Sequence, residues 1–183
     1  WLQGQIDDYS KFELTAREAK QLVFAMLDCE KPIIAKVPNN AIGLGCTIAL
    51  FCDVIFAAED AVIADPHVGI GLVAGDGGAV IWPQLVGYAR AKEFLMTGDP
   101  LTGKKAAEMG LINYAVKADE LDQKVEQFAV KLSKGAQKAI RWTKVSVNIG
   151  LKQLAHSIMD TSIAYEMVTN YTQDHQEGLN AFK

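Results

Sequence analysis

Residues 37–53 read VPNNAIGLGCTIALFCD, and this stretch carries the most informative pattern in the chain. A short apolar strand, Ile33 to Val37, leads into an asparagine-rich turn, then glycines, then a helix with no charged residue before Asp53. A helix start flanked by glycines leaves backbone N–H groups unpaired and lets a ligand approach the main chain. Because those donors and the positive end of the helix dipole favour negative charge, the stretch predicts an oxyanion pocket.

Composition places the chain among folded globular proteins. It has 183 residues, half of them apolar, and a net charge of −4, which supports one sizeable core. No Lys/Arg cluster has the density of a nucleic-acid surface, and no apolar run is long enough to span a bilayer. We therefore expect no nucleic-acid partner and no membrane partner. The three cysteines have no metal-ligand spacing and predict buried free thiols in a reducing, cytoplasmic compartment.

Strands and helices alternate over the first two thirds of the chain. Apolar runs predict strands at 33–37, 54–57, 61–64 and 111–116. Helices are predicted over 15–29, with Thr15 and Glu18 as a capping box, up to about Cys52, over 88–97, and from Thr102 to Gly110. A further helix follows the glycine-rich stretch 69–78, and Pro83 must kink or end it. This order has a β-β-α character rather than a strict β-α-β one.

After about residue 118 the pattern predicts helices and no strands. Between residues 155 and 171 apolar side chains lie on two faces of one helix. A helix with two apolar faces needs a partner on each. We expect the domain's own core on one side and a neighbouring subunit on the other; the alternative is a helix enclosed within its own domain.

Three stretches resemble the crotonase superfamily, the enoyl-CoA hydratase/isomerase family. Residues 37–53 are similar to the pattern V-N-G-x-A-x-G-G-G-x-E-L-A-L-x-C-D. Residues 66–78, PHVGIGLVAGDGG, resemble P-E-x-x-x-G-x-x-P-G-x-G-G, and residues 97–112 resemble a third pattern that opens with T-G and closes with G-L-V. The match is collinear over nearly the whole chain, which makes it more specific than any single motif.

The resemblance implies an α/β fold, a crotonase-like spiral of β-β-α units followed by a C-terminal helical oligomerisation region. Residues 1–117 would form the β-β-α core, with the N-terminal part of the family core absent. Residues 118–183 would form the helical trimerisation region. By the same resemblance, we expect a cytoplasmic homotrimer or a hexamer built as a dimer of trimers.

The resemblance also implies an acyl-CoA-processing enzyme of the enoyl-CoA hydratase/isomerase type, a lyase or isomerase of fatty acid metabolism. Family members hold the thioester oxygen with two backbone N–H groups as it becomes enolate-like, and the N–H of Leu44 would be one of them. The alternative is that Gly43 and Gly45 only permit close packing of strand and helix. The second donor comes from an earlier segment with an A-G-x-D-like sequence, which this sequence does not contain.

Coenzyme A is expected only as part of the thioester substrate, with no permanently bound cofactor and no metal. The resemblance assigns contacts with the CoA substrate to Ile42 and Gly43, and to Phe182 and Lys183 at the C-terminal end. A frayed terminus is the alternative for the last two.

The sequence departs from the family at both glutamates that hydratases use, because Thr47 and His67 stand in their places. A threonine hydroxyl is a poor base but can orient a water; the alternative is a buried threonine bonded back to the preceding turn. His67 can act as a general acid or base near neutral pH. Its alternatives are a structural histidine, or a metal-ligand pair with Asp65 that has no evident third ligand.

Asp76, in the loop Gly75–Gly78, is the remaining candidate carboxylate. The alternative is an ordinary helix N-cap. Our hypothesis is that Asp76 and His67 share the proton transfers of the missing glutamates. Other enolate-stabilised reactions stay open, namely hydrolysis, decarboxylation or isomerisation of a CoA thioester, as does a catalytically degenerate acyl-CoA-binding subunit.

Overall fold

The structure is a computed structural model that describes residues 9–181, with side chains from residue 13 onward. Helices and strands alternate up to residue 116, and only helices follow. The elements in chain order are α1 (Tyr9–Asp28), β1 (Ile34–Val37), β2 (Asn40–Ile42), α2 (Leu44–Leu50), β3 (Val54–Ala58), β4 (Val62–Ala64), a 3₁₀ turn (His67–Ile70), α3 (Gly78–Thr97), β5 (Leu101–Thr102), α4 (Gly103–Glu108), β6 (Tyr114–Val116), a second 3₁₀ turn (Ala118–Glu120), α5 (Leu121–Ser133), α6 (Gln137–Thr169) and α7 (Gln173–Ala181).

The strands of the described residues form two small sheets. In the first, β3 is central and pairs in parallel with both β1 and β6. In the second, β4 is central and pairs in parallel with β2 and antiparallel with β5. The chain steps from the first sheet to the second between β1 and β2, and again between β3 and β4. This repeated strand, strand and helix order confirms the predicted α/β spiral.

One buried cluster connects the sheets with the C-terminal helices. It includes Ile55 and Ile63 of the sheets, Trp82 of α3, and Met159 of α6. Cys46 belongs to the same cluster as a buried free thiol. The domain boundary between residues 117 and 118 stays a prediction. Among the described helices, none combines the length and apolar character needed to cross a bilayer.

A part-buried ion pair fastens α6 to the first sheet. The Lys144 ammonium lies 2.7 Å from Oδ2 of Asp53 and also donates to the carbonyl of Lys31, at 3.0 Å. The same Asp53 oxygen accepts a hydrogen bond from the N–H of Ile33, at 2.6 Å. Further along α6, Lys152 forms a more exposed ion pair with Asp28 of α1.

The structure corrects several predicted boundaries. Helix α1 begins at Tyr9, so Thr15 lies inside the helix and the predicted capping box is wrong. The break in α3 falls at Gly87, whose φ of 77° and ψ of 162° are not helical, and not at Pro83. Pro83 is the sixth residue of α3 and removes a backbone donor but keeps helical dihedral angles, whereas Gly87 with its positive φ leaves the helical region. Thr102 does cap α4, since its hydroxyl accepts from the N–H of Lys105 at 3.2 Å.

Candidate active site

Two parallel strands bring the candidate residues to one edge of the second sheet. Ile42, the last residue of β2, lies opposite Ala64, the last residue of β4. The Gly43 N–H donates to the Ala64 carbonyl at 3.0 Å, which ties the start of α2 to the end of β4. Gly43 has a φ of 57°, a conformation that L side chains rarely adopt. The segment after β4 therefore runs beside the start of α2.

His67 lies between two carboxylates. Its Nδ1 bonds to Oδ1 of Asp65, and because a carboxylate only accepts, Nδ1 is the donor. Its Nε2 lies 3.6 Å from Oδ2 of Asp76. Asp65 is 2% exposed and Asp76 is 7% exposed. Oδ2 of Asp65 is buried with no hydrogen-bond partner among the described residues, so His67 is the group that compensates this carboxylate.

Thr47 is a partner of Asp76. Its hydroxyl donates to Oδ1 of Asp76 at 3.0 Å, and the residue is 1% exposed. The alternative of a threonine bonded back to the preceding turn is therefore wrong. Asp76 also accepts from the N–H of Gly78, but the N-cap position of α3 is Gly77. The structure thus brings Thr47, His67 and Asp76 together, and their catalytic roles stay a prediction.

A fourth group, Glu166 of α6, was not found from the sequence. Its carboxylate accepts from the N–H of Gly75. A side chain at Gly75 would have its Cβ 2.6 Å from Oε2 of Glu166, so the glycine makes room for the carboxylate. Ser162, one turn earlier, donates to the Gly75 carbonyl at 3.0 Å and fixes this contact. The available signal was a glutamate between the apolar residues of a two-faced helix.

Burial and the neighbouring charges shift the pKa values of His67, Asp76 and Glu166. Burial alone would lower the pKa of His67, but Asp65, Asp76 and Glu166 together raise it to about 9. Burial raises the pKa of Glu166 to about 7, and the negative charge of Asp76 adds to that rise. Burial also raises the pKa of Asp76, against the lowering effect of His67. At neutral pH, His67 is therefore an imidazolium surrounded by carboxyl groups.

The cluster supplies the third potential metal ligand that the sequence did not show. Ligand atoms of Asp65, His67 and Asp76 all lie within 4.8 Å of one another. Since Nδ1 of His67 is engaged by Asp65, a cation here would have only Nε2 as its ring nitrogen. Because this nitrogen faces Oδ2 of Asp76 at 3.6 Å, we interpret the three residues as an acid–base cluster.

An apolar pocket opens beside His67. Its volume is about 190 Å³, and it is lined by Gly43, Pro66, His67, Gly69 and Ile70. Leu44 is the first residue of α2, so its N–H has no acceptor inside the helix. The pocket is therefore lined both by Gly43, which precedes the potential oxyanion donor, and by the imidazole of His67.

The predicted CoA contacts are divided between the described and undescribed residues. Ile42 ends β2 and is 46% exposed, and Gly43 lines the apolar pocket. Phe182 and Lys183 lie outside the described residues. Contact of these four residues with CoA stays a prediction.

A family model for enoyl-CoA hydratase/isomerase matches residues 3–183. The chain belongs to this family. The YngF protein of Bacillus subtilis is 37% identical over 165 residues, which cover 89% of this chain and 63% of that protein. A crotonyl-CoA hydratase of Syntrophomonas wolfei is 35% identical over 176 residues, 92% of this chain and 68% of that protein. The chain thus spans about two thirds of the length of these relatives.

Solved structures of the family share the fold. An enoyl-CoA hydratase/isomerase from Mycobacterium paratuberculosis superposes with a TM-score of 0.93 at 31% identity, covering 99% of this chain and 72% of that one. A β-diketone hydrolase from the cyanobacterium Anabaena, bound to (S)-3-oxocyclohexyl acetic acid, superposes with a TM-score of 0.84 at 29% identity. That match covers 91% of this chain and 66% of the hydrolase.

Proposed function

We propose that this protein is an enzyme that adds water to an acyl-CoA thioester through an enolate, with His67 and Asp76 as its acid–base pair. The observation that carries the proposal is the position of His67, which lies between Asp65 and Asp76 on the wall of an apolar pocket. The sequence similarity to a crotonyl-CoA hydratase supports a CoA thioester as substrate.

The oxyanion site of this proposal is the N–H of Leu44. The thioester carbonyl would occupy the pocket beside Gly43 with its oxygen toward this donor. One such donor, aimed at developing charge, contributes roughly 3–4 kcal/mol to transition-state stabilisation. The leucine side chain does not alter this contribution because the donor is the main chain.

The electrostatics support the proton-transfer roles that we propose. At neutral pH His67 carries two ring protons and acts as the acid, so the base is the Asp76 carboxylate. For a 2-enoyl thioester, a water oxygen bonds to the β-carbon while Asp76 takes the water proton. The double-bond electrons move onto the thioester oxygen, and Nε2 of His67 then delivers a proton to the α-carbon. Transfer of the proton from Asp76 to His67, 3.6 Å away, restores the pair.

A second candidate is hydrolysis of a carbon–carbon bond in a 1,3-diketone. It is favoured by the absence of the two hydratase glutamates, and by the structural match to a β-diketone hydrolase. Water would add to one carbonyl carbon as Asp76 takes its proton. The bond between this carbon and the central carbon then breaks, and its electrons form an enolate with the second carbonyl. His67 protonates the central carbon. The products are a carboxylic acid and a ketone.

One set of assays separates these candidates. The full-length protein is given crotonyl-CoA and, separately, a cyclic 1,3-diketone, and product is measured by mass spectrometry. Hydration of crotonyl-CoA supports the first proposal, and ring opening of the diketone supports the second. We expect Asp76→Asn to lower turnover on the accepted substrate by about 10²- to 10⁴-fold while binding survives. Unchanged turnover in Asp76→Asn would remove Asp76 from the mechanism.

A double variant and a binding assay test the remaining alternative, a protein that binds acyl-CoA without turning it over. If the protein only binds acyl-CoA, neither substrate is turned over, but calorimetry with an unreactive acyl-CoA gives saturable heat. Thr47→Glu combined with His67→Glu restores the family glutamates. We expect this double variant to hydrate crotonyl-CoA faster than the parent. If the parent hydrates crotonyl-CoA no faster than buffer and the double variant hydrates it faster than buffer, the protein is a degenerate hydratase.

We also propose a cytoplasmic homotrimer or dimer of trimers. The support is a set of exposed apolar residues on α6, which includes Trp142, Val147, Ile149, Tyr165 and Val168. Cys29, Cys46 and Cys52 are free thiols, in keeping with a reducing compartment. Light scattering that gives a monomer mass would contradict the assembly.

A further inference from the structure

We propose that His175 of α7 is a positioning residue that holds the turn carrying His67 in its working place. The proposal rests on the proposed function in one respect, namely that His67 transfers a proton. The contacts that support it join the last described helix to Ile70 and Gly71 and lie outside the acid–base cluster.

The turn that carries His67 lies partly exposed between α3 and α7. None of its residues, His67–Ile70, is buried. Its internal hydrogen bonds are local: the N–H of Gly69 donates to the Pro66 carbonyl, and the N–H of Leu72 donates to the His67 carbonyl, both at 2.9 Å. Such bonds define the shape of the turn but do not fix its place on the protein.

His175 supplies a long-range attachment at the far end of this turn. The residue is fully buried, and its Nδ1 lies 2.6 Å from the carbonyl oxygen of Ile70. Because a carbonyl only accepts, Nδ1 carries the proton and donates. Nε2 is buried with no hydrogen-bond partner among the described residues, so this single bond is the polar contact of the ring.

Two glycines let the backbone of α7 touch the backbone of the turn. A Cβ at Gly71 would lie 2.6 Å from the backbone nitrogen of His175. A Cβ at Gly178 would lie 2.8 Å from Cα of Ile70. Both distances are shorter than any real Cβ contact, so the close approach requires glycine on each side. The hydrogen bond of His175 thus lies within a close backbone contact that has no room for a Cβ at either glycine.

The consequence for His67 follows from its geometry. It is three residues from Ile70, so a shift of the Ile70 carbonyl moves the imidazole. Nε2 of His67 is already 3.6 Å from Oδ2 of Asp76, beyond hydrogen-bond length, and a further displacement would slow proton exchange between them. His175 acts through the backbone and does not touch the substrate pocket.

The test uses a matched set of variants. His175→Leu removes the donor and keeps a similar volume, and His175→Asn places an amide N–H near the position of Nδ1. His156→Leu is the control, because His156 is an exposed residue of α6 that stacks on Phe24. Turnover is measured below the melting temperature of every variant. The His67 ring is titrated by NMR, and its signal is assigned by its loss in His67→Gln.

We expect His175→Leu to lower kcat by at least about 10-fold with less than 3-fold change in KM. We expect the pKa of His67 to fall from about 9 toward its ordinary value, since the ring leaves its carboxylates. His175→Asn should recover most of both properties, and His156→Leu should change neither. If His175→Leu does not fold, Gly178→Ala tests the same contact without altering the histidine and should show the same two effects.

Folded His175→Leu or Gly178→Ala protein with the parent's kcat and His67 titration would overturn the proposal, as would His175→Asn behaving like His175→Leu. The titration needs no substrate. Parent protein that is inactive on both substrates therefore rejects the proposed function, while a shifted His67 titration in His175→Leu still supports the positioning role.

Discussion

The carboxylate of Asp65 is expected to determine the pH range in which His67 is an acid. Two opposite charges about 4 Å apart at an effective dielectric constant of about 20 attract by about 4 kcal/mol. That energy corresponds to a change of about three in a pKa. Asp65→Asn should therefore lower the pKa of His67 from about 9 to about 6.

The effect on activity follows from the protonated fraction of His67. If the imidazolium is the required acid, activity is present below the pKa and is lost above it. At pH 8 a pKa of about 9 leaves roughly nine tenths of the ring protonated, and a pKa of about 6 leaves about one hundredth. Asp65→Asn should thus be roughly 100-fold slower than the parent at pH 8, with a much smaller difference near pH 5.5.

The measurement is a pH–rate profile beside an NMR titration of the histidine rings. Asp60→Asn is the matched control, because Asp60 is an exposed aspartate in the turn between β3 and β4. If the rate of Asp65→Asn still falls only near pH 9, the reasoning is refuted. Asp65 would then not be the group that keeps His67 protonated. A lowered titration with an unchanged rate at pH 8 would instead refute His67 as the acid.

Three further predictions concern groups around this site and the fastening of α6. Glu166→Gln should be up to about 3 kcal/mol more stable than the parent at pH 8 and equal to it at pH 4, by urea unfolding. The direction of the change follows because folding raises the pKa of Glu166 from 4.5 to about 7. The folded parent therefore loses stability as pH rises through that range. A difference that does not change with pH would contradict this. Lys144→Met should cost about 3 kcal/mol, because it leaves Asp53 part-buried without its cation, while Lys152→Met, at a more exposed pair on the same helix, should cost under about 1 kcal/mol. Equal urea midpoints for the two would be inconsistent with the burial argument. Thr47→Val removes a hydrogen bond that lowers the pKa of Asp76, so the acidic limb of the pH–rate profile should move to higher pH; an unmoved limb would separate Asp76 from that limb.

Local patterns predicted much of the core correctly. The strand before Pro38 and those on both sides of Glu59 were evident as apolar runs, and Thr102 was evident as a cap. These features depend on residues close together in sequence, where hydrophobic periodicity and capping act directly. The short strand β2 was missed because three residues, Asn40–Ile42, pair with β4 through tertiary contact and not through propensity.

The candidate site was predictable only where its residues belong to contiguous motifs. Thr47 and His67 stand at positions that the family patterns mark, and Asp76 is the remaining carboxylate in the adjoining loop Gly75–Gly78. The sequence indicates Asp65 only as a possible metal-ligand partner of His67, and Glu166 lies in none of the family patterns. No local spacing reveals that a residue of a long C-terminal helix reaches the loop Gly75–Gly78. The pKa of His67 could not be predicted either, since it depends on burial and on three carboxyl groups at once.

The sign of the charge at position 67 changes what the site must do elsewhere. A carboxylate at that position would be a base at neutral pH, whereas the imidazolium of His67 is an acid, so the basic role must move to another group. Asp76 is the carboxylate nearest Nε2, and Thr47 supplies it with a hydrogen bond that favours its ionised form. Under the proposed function the two substitutions in the family motif act together, since an acidic histidine at 67 needs a separate base and Thr47 donates a hydrogen bond to that base, Asp76. Under the proposed function, we expect activity to fall as pH rises through the pKa of His67, which its carboxylate neighbours raise to about 9.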